Sequence, residues 1–124
     1  MDSAAVTVLI IEDEQISRRA LASLLASYGF RTRAFASAEA ALRDLDFNEQ
    51  PEFALLDVDL PGMSGLDAIA RLERLWPDIR PVLITASETD RLWNFRRSHD
   101  VEFFPKPVDF PRLLRLLLQS SPEV

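Results

Sequence analysis

The chain has 124 residues, 48% of them hydrophobic and 27% charged, enough for one globular domain with a single sizeable core and too few for two domains. Fourteen basic residues against twenty acidic ones leave a formal charge of -6, so a nucleic-acid backbone is repelled on average and direct binding to nucleic acid is not expected. Zero cysteines exclude disulfides, thiol catalysis and cysteine-held zinc or iron-sulfur sites, and the single histidine, His99, argues against a multi-histidine metal cage, whereas hard cations held by oxygen stay open.

No stretch approaches the roughly 18 apolar residues of a membrane span, and the start Met1-Asp2-Ser3 lacks the basic segment of a signal peptide. The expectation is a cytoplasmic protein without a membrane partner. Val6 to Ile11 (VTVLII) is a continuous apolar run rich in β-branched residues, as expected of a strand buried on both faces. Ile16, Ala20, Leu21, Leu24, Leu25 and Tyr28 follow with helical spacing, closed by Gly29 where a left-handed C-cap would fall. Arg31 to Phe35 (RTRAF) alternates polar and apolar residues, which suits an edge strand. Ser37 can cap a second helix over Ala38 to Phe47.

A third strand is expected at Phe53 to Leu56 (FALL) and a third helix through Leu66, Ile69, Ala70, Leu72, Leu75 and Trp76, stopped by Pro77. Pro61 to Gly65, before that helix, reads as a tight loop. It is not a nucleophile elbow, because G-x-S-x-G would need glycine where Leu66 stands. Val82 to Thr85 (VLIT) and Val101 to Phe104 (VEFF) are read as two more buried strands. Between them Glu88 to Ser98 is assigned as a helix by position alone, since Leu92, Trp93 and Phe95 make no single stripe. Asp109 caps the last helix, with Pro111 in its first turn and leucines from Leu113 to Leu118. Strands that alternate with helices imply right-handed crossovers and a parallel sheet with helices on both faces, a doubly wound α/β fold.

In such a sheet a ligand sits beyond the carboxyl ends of the strands, where strand order reverses. Glu12 and Asp13 follow the first strand, Asp57 ends the third, Thr85 ends the fourth, and Lys106 follows the fifth with Pro107 behind it. An acid after a strand often does no more than cap a helix. Three of them on one edge repel one another and need protons or a cation. An oxygen-only cluster with open positions suits Mg²⁺. Thirteen of the fourteen basic residues are arginines and Lys106 is the only lysine, a compact ammonium able to meet a phosphate as a point charge.

On these residues the chain resembles the receiver domains of two-component response regulators over essentially its whole length. The resemblance rests on the acidic pair in LIIEDE, the acceptor in FALLDVDLPGMSGLD, the hydroxyl in LITAS, and the lysine and proline in FFPKP, in that order and each at its strand end. It implies a flavodoxin-like sheet of order 2-1-3-4-5, a receiver domain over residues 1–119, and a tail or linker start at 120–124. It implies that Asp57 takes a phosphoryl group from a sensor histidine kinase or histidine phosphotransfer protein. Asp13, Asp57 and the backbone carbonyl of Asp59 would bind Mg²⁺, with Glu12 acting mainly through a water. Lys106 and Thr85 would hold the phosphoryl oxygens, Ala86 would leave them room, Phe103 would be the aromatic that follows Thr85, and the Lys106-Pro107 bond would be cis. Asp59 and Ser87 stand where the family tunes phosphoryl lifetime. The glycine usual before the fifth strand is replaced by Ser98, His99 and Asp100.

The reading is a signalling domain, not an enzyme. Asp57-Val58-Asp59 also resembles the D-x-D of haloacid-dehalogenase-type phosphohydrolases, which use the same acyl-phosphate chemistry. There, however, the second acidic group lies downstream of the lysine, and here the acidic pair is upstream. A pseudo-receiver that is never phosphorylated is the other alternative, but such domains usually lose one of the key residues and none is missing. Leu113, Leu114, Leu116, Leu117 and Leu118 spread over roughly 200° of helix, wider than the ~100° that packing on a sheet requires. Part of that surface, with Trp93 and Phe95, is expected to lie open. The resemblance implies that the face of the fourth helix, fifth strand and fifth helix is the output surface, as in a phosphorylation-dependent homodimer.

Overall fold

The computed structural model describes residues 6–44, 49–86, 94 and 101–119. Its strands are β1 (Thr7–Ile11), β2 (Arg31–Phe35), β3 (Phe53–Asp57), β4 (Arg80–Thr85) and β5 (Glu102–Pro105). They pair in parallel in the order β2-β1-β3-β4-β5. Helices α1 (Gln15–Ser27), α2 (Ala38–Asp44), α3 (Gly65–Leu75) and a C-terminal helix (Phe110–Gln119) connect and cover the sheet. This is the doubly wound order expected. Four elements fall partly or wholly outside the described residues: the end of the second helix at Phe47, the helix assigned to Glu88–Ser98, the turn Ser98 to Asp100, and the tail 120–124.

β1 and β3 are buried along their whole length because each lies between two other strands and between helices on both faces. Alternation along each strand splits the core in two. Leu9, Ile11, Ala54, Leu56 and Leu83 face one side, where Ala38 and Ala41 of α2 and Ile69 and Leu72 of α3 pack on them. Val8, Ile10, Phe53, Leu55, Val82 and Phe104 face the other, under Leu25 of α1 and Leu113 and Leu117 of the C-terminal helix.

The caps follow the expected chemistry. Gly29 takes the left-handed φ of 95°, and the bonds Gly29 N–H to Ala26 O and Phe30 N–H to Leu25 O, 3.0 and 3.2 Å, close α1 as a Schellman motif. The Ser37 hydroxyl oxygen accepts from Ala40 N–H, and the Asp109 carboxylate from Arg112 N–H.

Two strands differ from expectation. β4 starts at Arg80 and so contains Pro81, which no apolar-run argument would include. Arg80 N–H bonds to Glu52 O on the β3 side, so Pro81 turns its missing donor the other way, where pairing with β5 begins only at Val82. β5 begins at Glu102, not at Val101, and only Phe104 within it is buried. It is an edge strand, not one covered on both faces, because it ends the strand order.

Candidate functional site

The pleat sorts the side chains at the carboxyl edge. Asp57 continues the alternation of Phe53 and Leu55, toward α1 and the C-terminal helix. Thr85 and Phe103 lie on the opposite face, because Leu83 pairs with Phe103 and Thr85 with Pro105, which makes Thr85 and Phe103 diagonal neighbours. Thr85 is buried, and its carbonyl accepts the Lys106 N–H at 2.8 Å.

Lys106 bridges the acids: its Nζ lies 2.6 Å from Asp57 Oδ2 and 3.3 Å from Glu12 Oε1. Asp57 Oδ1 accepts the N–H of Asp59 at 2.9 Å, and Glu12 Oε2 that of Glu14 at 3.0 Å. Glu12 and Asp57 are buried whereas Asp13 is exposed, and one carboxylate oxygen from each of the three lies within 4.8 Å of the others. The Lys106-Pro107 bond is cis. Glu12, Asp13, Asp57 and Lys106 are therefore brought together as the sequence suggested. Ala86 follows Thr85 at the same edge and is exposed. Ser87 lies outside the described residues.

Burial pushes the Glu12 carboxyl above its ordinary 4.5; the Glu14 N–H draws it back, the charge of Asp57 adds to the rise, and Lys106 opposes it without cancelling it. Burial alone would depress the Lys106 ammonium, but hydrogen bonds and charges from Asp57 and Glu12 outweigh it and raise the group above 10.5. These hard oxygen donors, incompletely neutralised by one ammonium, fit a divalent cation such as Mg²⁺.

Sequence reasoning missed three supporting residues. Arg18 reaches back from α1 so that Nη1 donates to the Glu12 carbonyl at 3.0 Å, tying down the acidic loop. Glu14 caps α1 through Ser17 N–H at 2.8 Å, and the Ser17 hydroxyl donating to the same oxygen, followed by that N–H, lowers the Glu14 pKa. Glu39 accepts the Met63 N–H at 2.9 Å across a separation of 24 residues. An acid in a first helical turn is ordinarily read as a dipole partner, and no local pattern discloses a contact that distant. Beside the site, a groove of ≈ 520 Å³ runs between α1 and the residues after β5, with Glu12 and Lys106 at one end and Leu21, Leu24, Val108 and Phe110 along it.

Fold and site together define a doubly wound α/β protein with a lysine-bridged acidic pocket at the carboxyl edge of its sheet. Residues 8–118 match the model of the response regulator receiver domain, and the chain belongs to that family. It is a family of signalling domains in two-component systems, whose general function is to be phosphorylated on an aspartate. The chain is 33% identical over 116 residues to a cyclic di-GMP phosphodiesterase of Thermotoga maritima, 93% of this chain but 30% of that protein. It is 29% identical over 107 residues to sporulation initiation phosphotransferase F of Bacillus subtilis, 86% of each. The structure of response regulator protein TrrA from Thermotoga maritima, in complex with Mg²⁺-BeF, matches with a TM-score of 0.78 and 24% identity over 92% of this chain and 97% of that one. Among the described residues no helix is long and apolar enough to cross a membrane.

Proposed function

We propose that Asp57 is the phosphoacceptor of this receiver domain, charged by a sensor histidine kinase or a histidine phosphotransfer protein in the cytoplasm, the compartment that holds the ATP behind such kinases. The observation that carries this is the 2.6 Å contact of Lys106 with a buried Asp57 inside an acidic cluster. In the step proposed, an Asp57 carboxylate oxygen attacks phosphorus, the P–N bond of the donor phosphohistidine breaks with its electron pair going to the imidazole, and that nitrogen takes up a proton. Asp59 N–H and Lys106 hold one Asp57 oxygen each, which fixes the carboxylate plane while leaving a further lone pair on each oxygen for attack. Lys106 can then follow the developing charge to the phosphoryl oxygens, with the Thr85 hydroxyl on a third side and Ala86 too small to obstruct them.

Asp13, Asp57 and the Asp59 carbonyl would hold Mg²⁺, with Glu12 acting mainly through a water. The ion supplies charge neutralisation to the transferring group. Support for it comes from the three-carboxylate cluster and from the Mg²⁺-BeF complex of the TrrA relative.

The domain is taken as 1–119, around the matched residues 8–118. It promotes its own phosphorylation and dephosphorylation but turns over no separate substrate. Exposed Leu24, which lines the groove that also holds Glu12 and Lys106, together with exposed Ile16 and Tyr28 on the same helix and its cap, supports donor docking on this side. For output, Phe103 turns with Thr85 as its diagonal neighbour, and a homodimer forms through β5, the C-terminal helix and the helix expected before them. Leu113 and Leu117 are buried, Leu114 and Leu116 half-buried, and Leu118 is open, a narrower apolar strip than the leucine arc suggested.

Incubation with acetyl phosphate and Mg²⁺ tests the acceptor. One phosphoryl group should be added, stable to acid and labile to hydroxylamine, and Asp57→Asn should abolish it; labelling that survives in the variant would place the acceptor elsewhere.

A further inference from the structure

The connection from β3 to α3 carries Asp59 and then turns through Pro61, Gly62 and Met63. Its entry is tied by Val58 N–H to Ile84 O and by Asp59 N–H to Asp57 Oδ1, both at 2.9 Å. Its exit is tied by Ser64, whose hydroxyl caps α3, and by Gly65, where an added Cβ would lie 2.6 Å from the Asp57 carbonyl oxygen. The middle is held from a different element. Glu39, in the first turn of α2, accepts the Met63 N–H on Oε2 at 2.9 Å. Gly62 takes a left-handed φ of +76°, and a Cβ there would meet the same Oε2 at 2.8 Å. The carboxylate thus occupies space that only glycine leaves, and the Met63 bond lowers the Glu39 pKa below 4.5, keeping the acceptor charged.

From this geometry we infer that Glu39 is a positioning residue for phosphoryl transfer: by clasping Met63 from α2 it holds the loop that carries the Asp59 carbonyl in its binding conformation. The inference rests on the reading of Asp57 as acceptor and Asp59 as a metal-binding position. A loop already held loses less conformational freedom when it binds an ion. An ordinary loop tie would contribute stability alone. Glu39 is exposed, so replacing it leaves no cavity in the core.

The test is the initial rate of Asp57 phosphorylation by acetyl phosphate across a Mg²⁺ titration, with urea unfolding in parallel, for wild type, Glu39→Ala, Glu39→Gln and Glu39→Asp. Glu39→Ala should need about ten-fold more Mg²⁺ for half-maximal rate, the size expected for one charge-assisted hydrogen bond, with a similar rate at saturation. Glu39→Gln keeps an amide oxygen that can accept the same N–H without the charge and should fall between wild type and Glu39→Ala. Glu39→Asp, one methylene shorter, should behave like the alanine variant and serves in its place should Glu39→Ala not fold. Equal Mg²⁺ dependence in wild type and in the alanine and aspartate variants overturns the inference, whatever happens to their urea midpoints. A wild type that takes no phosphoryl group on Asp57 overturns the proposed function first, and the inference with it.

Discussion

On the face of the sheet covered by α2 and α3, α3 buries Leu66, Ala68, Ile69 and Leu72, exposes Asp67, Arg71 and Arg74, and leaves Leu75 open at 39%. On the opposite face α1 is longer yet buries only Leu25, while Ile16, Leu24 and Tyr28 at its C-cap are exposed at 76%, 44% and 57%. Both faces have an apolar core, so the contrast lies in what the outer helices show to solvent. α3 leaves one large apolar side chain open, Leu75 at its last turn, whereas α1 and its cap leave three, with Leu24 lining the groove that also holds Glu12 and Lys106. Single exposed apolar residues are common on monomers. Three of them, eight and four residues apart along α1 and its cap and so on one side of the helix, are better explained as a contact surface.

Cavity-forming substitutions test the shared half of that contrast and should give the largest effect. Leu72→Ala under α3 and Leu117→Ala under the C-terminal helix, both fully buried, should each lower unfolding free energy by about 2–5 kcal/mol, read from urea titration. A cost near zero on one face would show that only the other carries a true core.

The parts of this structure that were legible in the sequence are those whose cause is local. Strand runs, the Gly29 cap, the Ser37 and Asp109 caps and the acids and lysine at strand ends all declare themselves within a few residues. The edge character of β5 did not, because VEFF reads as apolar and its exposure depends on being last in the sheet. Pro81 entered β4 for the same reason: its lost donor is harmless only where β5 has not yet begun. Glu39 and Arg18 act through contacts that exist only after folding. The cation site was legible in its carboxylates, whereas the backbone ties that aim them were not.

The exposed half of the contrast should show a smaller effect on stability and a selective one on function. Ile16→Ser and Leu24→Ser should change unfolding free energy by under ~0.5 kcal/mol, as surface changes do. They should slow phosphoryl transfer from a protein donor while leaving the acetyl phosphate rate alone. Equal slowing with both donors would mean that α1 shapes the site itself, and no slowing would remove it as the docking surface.

The smallest effect expected is electrostatic. Because burial raises the Glu12 pKa in the folded state, the stability linked to its protonation is fully present below its unfolded value of 4.5 and is lost as pH rises through the higher folded value. At neutral pH without divalent cations, the ionised Glu12 therefore penalises the native state. Lys106 acts in the other window: with its folded pKa raised above 10.5, its contribution holds at neutral pH and is lost only in strong alkali. Glu12→Gln keeps an oxygen to accept the Glu14 N–H and removes one negative charge from beside Asp57, so the variant should melt higher than wild type at pH 7 in chelator. The gain should shrink below pH 4.5, where the wild-type carboxyl is itself protonated, and also in excess Mg²⁺, which relieves the same repulsion in wild type. A Glu12→Gln variant that melts lower than wild type at pH 7 in chelator would show instead that the Glu12–Lys106 pairing outweighs the cost of burying the charge.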